Sequence, residues 1–348
     1  MALSYDGMKA YAEYLLRHLT DGLVRFGMLG DWLSLEPADQ GSGNSDIPRV
    51  SAFSGALSMQ MMAEMATAQN ASADAARYGD AARSMRERYH EAFFQAELRS
   101  YGNCSQIANI LPLVLGCVPQ ELLPGVVEAL VDSLSSRCTG LKEPTILTGG
   151  VGSRHVWHAL VLARRADLAL QLALKETSPS LAWMISQGPG TFWEDWGGST
   201  YTDPRGSSKN HHMLTGGFGI WLLDDVAGIR ASHDAIGRAA LTVDLSQTSL
   251  IGKVGKASAS VETAAGRAAV EWVLEDTPAL QVSISAPHGV QSCLLQLPAP
   301  GSGGAVLRGD QGRVLWSSDG SEVAGNSVSV ELGAGEHVLE YASDSLRL

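Results

Sequence analysis

Phe192, Trp193, Glu194, Asp195 and Trp196 form the most unusual local cluster in the chain. Two indoles flank a pair of adjacent carboxylates, with Gly190 before them and Gly197 and Gly198 after. Sugar rings have apolar C–H faces that lie flat on exposed aromatic rings. Carboxylates accept hydrogen bonds from ring hydroxyls or act as acid or base. The cluster suits carbohydrate chemistry, with Glu194 as the candidate catalytic carboxylate. Taken alone, so short a motif is equally compatible with core tryptophans and acids on a solvated loop.

A second cluster, Lys209, Asn210, His211 and His212, precedes the apolar stretch MLTGGFGIWLLDDVAGI. Asn is a strong N-cap residue, so the Asn-His pair can simply start a helix. The functional alternative directs His211 into a pocket to hydrogen-bond a substrate hydroxyl. Adjacent histidines lack the i, i+4 spacing of helical metal ligands and have no evident third partner, so no metal is expected. Asp31 and Trp32, after Gly30, repeat the pairing of carboxylate with indole. Ser, His and Asp are all present, but without the GxSxG elbow of a serine hydrolase. P-loop and GxGxxG patterns are also missing, and no cofactor is expected.

Two kinds of element must carry these residues. Up to about residue 230 the sequence reads as successive helices. Met8, Tyr11, Leu15 and Leu19 share a helical face, and Asp21-Gly22 closes that helix. Helices are expected at 51–68, 72–97, 105–115, 120–134, 154–163, 168–176 and 213–226. The long Gly-, Pro- and Thr-rich loops between them hold the candidate residues, as functional loops commonly do. From 231 to 348 the period changes to two. Ala268, Val270, Trp272 and Leu274 take one face, and Leu280, Val282 and Ile284, and Val328, Val330 and Leu332, alternate with polar residues. Short alternating strands between Gly-rich turns predict an antiparallel β-sandwich. The expected division is a helical catalytic domain over 1–230 and a β-sandwich over 231–348.

Bulk properties narrow the partners. The formal net charge of −12 disfavours nucleic acid and anionic membranes. No apolar run reaches the roughly 20 residues that cross a bilayer. The N-terminus lacks the basic, apolar and small-residue regions of a signal peptide. The chain reads as soluble, with its compartment open. Cys104, Cys117, Cys138 and Cys293 form no CxxC pair, which argues against a zinc cluster or a dense disulfide framework.

The order of motifs resembles the α-L-rhamnosidase family of inverting glycoside hydrolases (family 78). The matching run is GDWL at Gly30–Leu33, ILTGGVGS at Ile146–Ser153, DLAL at Asp167–Leu170 and SPSLAWMISQGPGTFWEDW at Ser178–Trp196. SKNHHM at Ser208–Met213 and IWLLDDVAGI at Ile220–Ile229 complete it. The family pattern G-x-x-T-x-W-E-x-W fits Gly188, Thr191, Trp193, Glu194 and Trp196. This resemblance implies an (α/α)6 barrel followed by a β-sandwich, a terminal α-L-rhamnoside as substrate, and Glu194 as general base. It further implies sugar contact by His211 and a pocket-lining role for Asp31, Trp32, Trp193 and Trp196. An inverting enzyme also needs a second carboxyl, roughly 6.5–9.5 Å from the base, to protonate the glycosidic oxygen.

The family carries that acid on an earlier segment, D-x-x-x-x-E-R-x-G-W, which nothing in this sequence fits. The chain is therefore expected to hold only part of the barrel, to need a missing N-terminal segment, and to hydrolyse little alone. Two smaller departures are His212-Met213 where the family usually has an aromatic, and Leu147-Thr148-Gly149 in place of Thr-Thr-Gly. A sugar-binding relative without catalysis, and a scaffold that merely inherited the motifs, are the alternative readings.

Overall fold

A computed structural model describes residues 2–27, 29–36, 44–187, 191–196, 216–233, 239–276, 278–300, 304–318 and 327–346. The chain forms two units, Met1–Phe218 and Gly219–Leu348. The first is helical. Its elements are α1 (Ala2–Arg17), the short strands β1 (Asp31–Trp32) and β2 (Asn44–Ser45), α2 (Ile47–Ala68) and α3 (Ser72–Phe93). They continue with α4 (Gln106–Leu115), α5 (Leu123–Leu134), α6 (Ser136–Thr139), α7 (Gly150–Leu162), α8 (Ala166–Ala173) and α9 (Leu181–Ser186), and α10 (Gly216–Trp221) runs across the boundary into the second unit.

Helices α2 and α3 show how the sequence builds this unit. Phe53, Ala56, Met59, Met62 and Ala66 bury one face of α2, and Tyr78, Ala82, Met85, Tyr89 and Phe93 bury the facing stripe of α3. Spacings of three and four keep each set on one side of its helix. Burial of each large side chain contributes about 1.5–3 kcal/mol. Pro48 in the first turn of α2 removes no intrahelical hydrogen bond there.

On α1 the expected buried face is only partly right. Ala12 and Leu15 are buried, whereas Met8 and Tyr11 are exposed at 49% and 58%. Polar partners turn the helix. Tyr5 and Lys9 both donate to Asp74 of α3, and Glu13 accepts from Arg77 and Tyr78. A second feature, invisible in the spacing of the cysteines, is a single disulfide. Cys104, just before α4, is bonded to Cys138 in α6. Cys117 and Cys293 are free thiols, and burial pushes them up to about 12 and about 11.

The second unit opens with one π-helical turn over Leu222–Val226. It contains β3 (Ile229–His233), β4 (Ala239–Asp244), α11 (Thr248–Val254), β5 (Lys256–Thr263), β6 (Gly266–Leu274) and β7 (Ala279–Ala286). There follow β8 (Ser292–Pro298), β9 (Ala305–Arg308), β10 (Val314–Ser318), β11 (Ser327–Leu332) and β12 (Gly335–Ser343). A six-stranded sheet has the order β10-β9-β12-β7-β6-β5 and a four-stranded sheet the order β11-β8-β4-β3. The alternating residues meet as expected: Val270, Trp272, Leu280, Val282 and Ile284 join Leu241, Val243, Leu295 and Leu297 in one core. Among the described residues the pairing is antiparallel with one exception, the parallel pair β4–β8. Among the described residues no helix is long and apolar enough to cross a membrane.

Candidate active site

Residues 191–196 have no regular secondary structure. Trp193 and Trp196 are 1% and 2% exposed, and Asp195 is buried, while Glu194 is half-buried. The two indoles therefore grip the loop from inside. Trp193 meets Trp183 of α9 edge to face, ring centroids 5.4 Å apart. Trp196 Nε1 donates to the Thr148 carbonyl at 2.6 Å. Protein encloses nearly all of each ring. One Asp195 oxygen, Oδ2, is enclosed without a hydrogen-bond partner among the described residues.

Asp31 is also an inward-facing residue. Fully buried, its carboxylate accepts from the backbone N–H groups of Gly149 at 2.7 Å, Val151 at 2.9 Å and Gly152 at 2.8 Å. These are the free amides at the N-terminus of α7, where the helix dipole favours an anion. A buried carboxylate needs several such donors to offset its lost hydration. The sequence pattern began α7 at Arg154, but helix starts at Gly150 because this cap arrives from a remote segment. Glycine is required here: a Cβ on Gly149 would lie 2.6 Å from the Asp31 carbonyl oxygen and collide with that of Trp32.

The Thr148 carbonyl and the Gly149 amide belong to one peptide group. Asp31 holds its N–H side and Trp196 its C=O side, so two residues singled out in the sequence meet through a single peptide plane. Ser153 Oγ also donates to the Thr148 carbonyl, at 3.0 Å. Five residues beyond Asp31, buried Glu36 repeats the device by accepting from the Gln106 and Ile107 amides at the start of α4. Gln106 in turn donates to the Ser133 and Thr145 carbonyls and accepts from the Leu147 amide. Residues 145–149 thus form a buried, irregular shelf whose backbone is held by side chains.

Glu36 and Gln106 were missed by pattern reading, since their partners are main-chain groups far away in sequence, and Thr148 because it is its main-chain carbonyl that holds Trp196. The one available signal was the glycine pair Gly149 and Gly152, which marks close backbone approach. Trp32, like Glu194, is half-buried. His211, with Asn210, lies outside the described residues. On α7, burial drives His155 down to about 4, with Arg154 and His158 adding to the effect, and its ring stands edge-on to Phe53. Among the described residues there is no group of three or more His, Cys, Asp or Glu side chains placed to hold a metal ion.

The fold, a helical unit followed by a β unit, has counterparts. The bacterial alpha-L-rhamnosidase 6 hairpin glycosidase domain matches residues 1–226. The chain belongs to that family. It is 25% identical over 297 residues to an alpha-L-rhamnosidase of Alteromonas sp. (strain LOR), an alignment covering 83% of this chain and 31% of the relative. An alpha-L-rhamnosidase of Streptomyces avermitilis is 28% identical over 279 residues, covering 78% of this chain and 25% of that protein. Among solved structures, the alpha-L-rhamnosidase from Dictyoglumus thermophilum superposes with a TM-score of 0.82 at 21% identity, covering 98% of this chain and 37% of that one. The Streptomyces avermitilis enzyme complexed with L-rhamnose gives 0.74 at 22% identity, covering 97% and 30%. At these identities the superpositions establish the fold. The chain spans about a third of the length of these relatives.

Proposed function

We propose that this chain supplies the general-base half of an inverting α-L-rhamnosidase site. Glu194 takes a proton from the water that attacks the anomeric carbon on the side opposite the leaving group. A second carboxyl, roughly 6.5–9.5 Å away, protonates the departing glycosidic oxygen. That acid is proposed to lie on a segment outside these 348 residues, because no stretch of the sequence fits the family's acid motif. Trp32 and His211 are assigned to the sugar pocket. Asp31, Trp193 and Trp196 are assigned to the support behind it.

The observation that carries this reading is the contrast within one short loop. Trp193 and Trp196 are locked inward while Glu194, between them, keeps part of its surface outside. A base must be held rigidly yet reach water and substrate. The test is hydrolysis of p-nitrophenyl α-L-rhamnoside by a protein carrying this chain with the acid segment, beside its Glu194→Gln variant. The expected result is a loss of at least about 100-fold in kcat, the usual scale for removing a general base. Equal turnover by the two proteins refutes the assignment. Rhamnose binding without turnover, in the presence of both carboxylates, favours a sugar-binding relative instead.

A further inference from the structure

We propose that Lys175 is a positioning residue for Glu194, an inference that rests on reading Glu194 as the base. Lys175 follows α8 and is 7% exposed, which is unusual for a lysine. Its ammonium donates to Thr145 Oγ1 at 2.6 Å and to the Pro179 carbonyl at 3.2 Å. Burial lowers its pKa, with Glu143 acting in the opposite direction. A lysine is kept in such a place only where its hydrogen bonds offset the lost hydration.

The two acceptors begin the two supports of the Glu194 loop. Thr145 starts the shelf that runs through Ile146 and Leu147 to Thr148, whose carbonyl receives Trp196 Nε1. Pro179 precedes Ser180, whose Oγ accepts from the Trp183 amide and so caps α9. Trp183 then packs against Trp193. One support therefore reaches the residue before Glu194 and the other the residue two after it. Lys175 ties both at their origin. It also shares the lining of a small cavity, about 10 Å³, with Trp196, Ile146, Pro179 and Ser180.

Lys175 thus sets the separation of the two tryptophans that flank Glu194 without touching substrate. A lysine used only for bulk stability would have no particular effect on residues 191–196. The test is hydrogen–deuterium exchange of the 348-residue chain as wild type, Lys175→Met and Thr145→Val. The valine variant removes the shorter hydrogen bond while leaving the lysine, and covers the case in which the methionine variant fails to fold. Peptides spanning 179–186 and 191–196 are expected to exchange at least about tenfold faster in both variants, while those of α2 and α3 stay within about twofold of wild type. Unchanged exchange at 191–196, or uniform acceleration of every peptide, overturns the proposal. Rhamnoside hydrolysis by the Glu194→Gln variant of the protein that also carries the acid segment separates the two ideas. If that variant is as active as wild type the base assignment fails, while the exchange data still decide the role of Lys175.

Discussion

Replacing Asp31 by Asn tests whether the charge of one buried carboxylate sets the shelf beneath the site. The side chain keeps its shape but changes one oxygen to an NH2 group. Oδ1 serves Val151 and Gly152 and Oδ2 serves Gly149. If the Asn oxygen takes the pair of amides, its NH2 group must face the Gly149 N–H, donor against donor. Outright loss of one hydrogen bond to a charged acceptor costs about 2 kcal/mol, and turning the other two into neutral-acceptor bonds costs roughly 1 kcal/mol more. The sum, about 3 kcal/mol, corresponds to a fall of roughly 6–12 °C in the melting of a unit of this size. Scanning calorimetry of the two proteins reads it directly. Because the Gly149 amide and the Thr148 carbonyl are one peptide group, the variant should also weaken the bond from Trp196 Nε1, through loss of polarisation across that plane. A melting shift below about 2 °C would refute the claim that this carboxylate organises the start of α7.

Two further outcomes are expected. Joining Cys104 to Cys138, 34 positions apart, restricts the unfolded chain enough to contribute about 4 kcal/mol on the chain-entropy model. Thiol titration of the denatured, unreduced protein should accordingly find Cys117 and Cys293 only, and the Cys104→Ser, Cys138→Ser double variant should melt well below wild type; four titratable thiols would contradict the bridge. His155 is held near 4 in the folded chain, below its ordinary value, so the unfolded chain takes up a proton first as pH falls through 6.5. Its contribution is intact above pH 6.5 and shrinks on acidification, by at most about 2 kcal/mol between pH 7.5 and 5. Urea midpoints at those two pH values should differ less in His155→Gln than in wild type, and equal differences would count against the burial argument.

Patterns that repeat within a few residues were legible from sequence; contacts that join distant segments were not. Strands β6 and β7 follow from Ala268, Val270 and Trp272 and from Leu280, Val282 and Ile284, because a period of two must place them on one face. Helices α2 and α3 follow for the same reason at a period of 3.6. The face of α1 was misread because Lys9 and Glu13 find charged partners on α3, and those partners outweigh the apolar preference of Met8 and Tyr11. The TFWEDW cluster stood out, but composition alone gave Trp193 and Trp196 two possible orientations, and burial selects the inward one. Asp31 was found by its motif, but its hydrogen bonds were not legible: these partners lie 118 to 121 residues away and are backbone amides, which leave no side-chain signature. Glu36 and Gln106 are alike in this, bonded to main-chain groups 27 to 71 residues away.

The parallel pairing of β4 with β8 has a consequence for how the second unit comes into being. Between those strands the chain leaves to lay down β5, β6 and β7 in the opposite sheet, and after β8 it leaves again for β9 and β10 before returning with β11. Neither sheet can be completed before the other is well advanced. The ends of the four-stranded sheet must be brought together across most of the unit, a loop closure that slows folding. During synthesis β3–β4, β5–β6–β7 and β9–β10 can each pair as they emerge, but the six-stranded sheet stays in two pieces until β12, the last strand, joins β9 to β7, so a cut before 335 should leave that sheet divided with unpaired edges rather than a smaller stable domain.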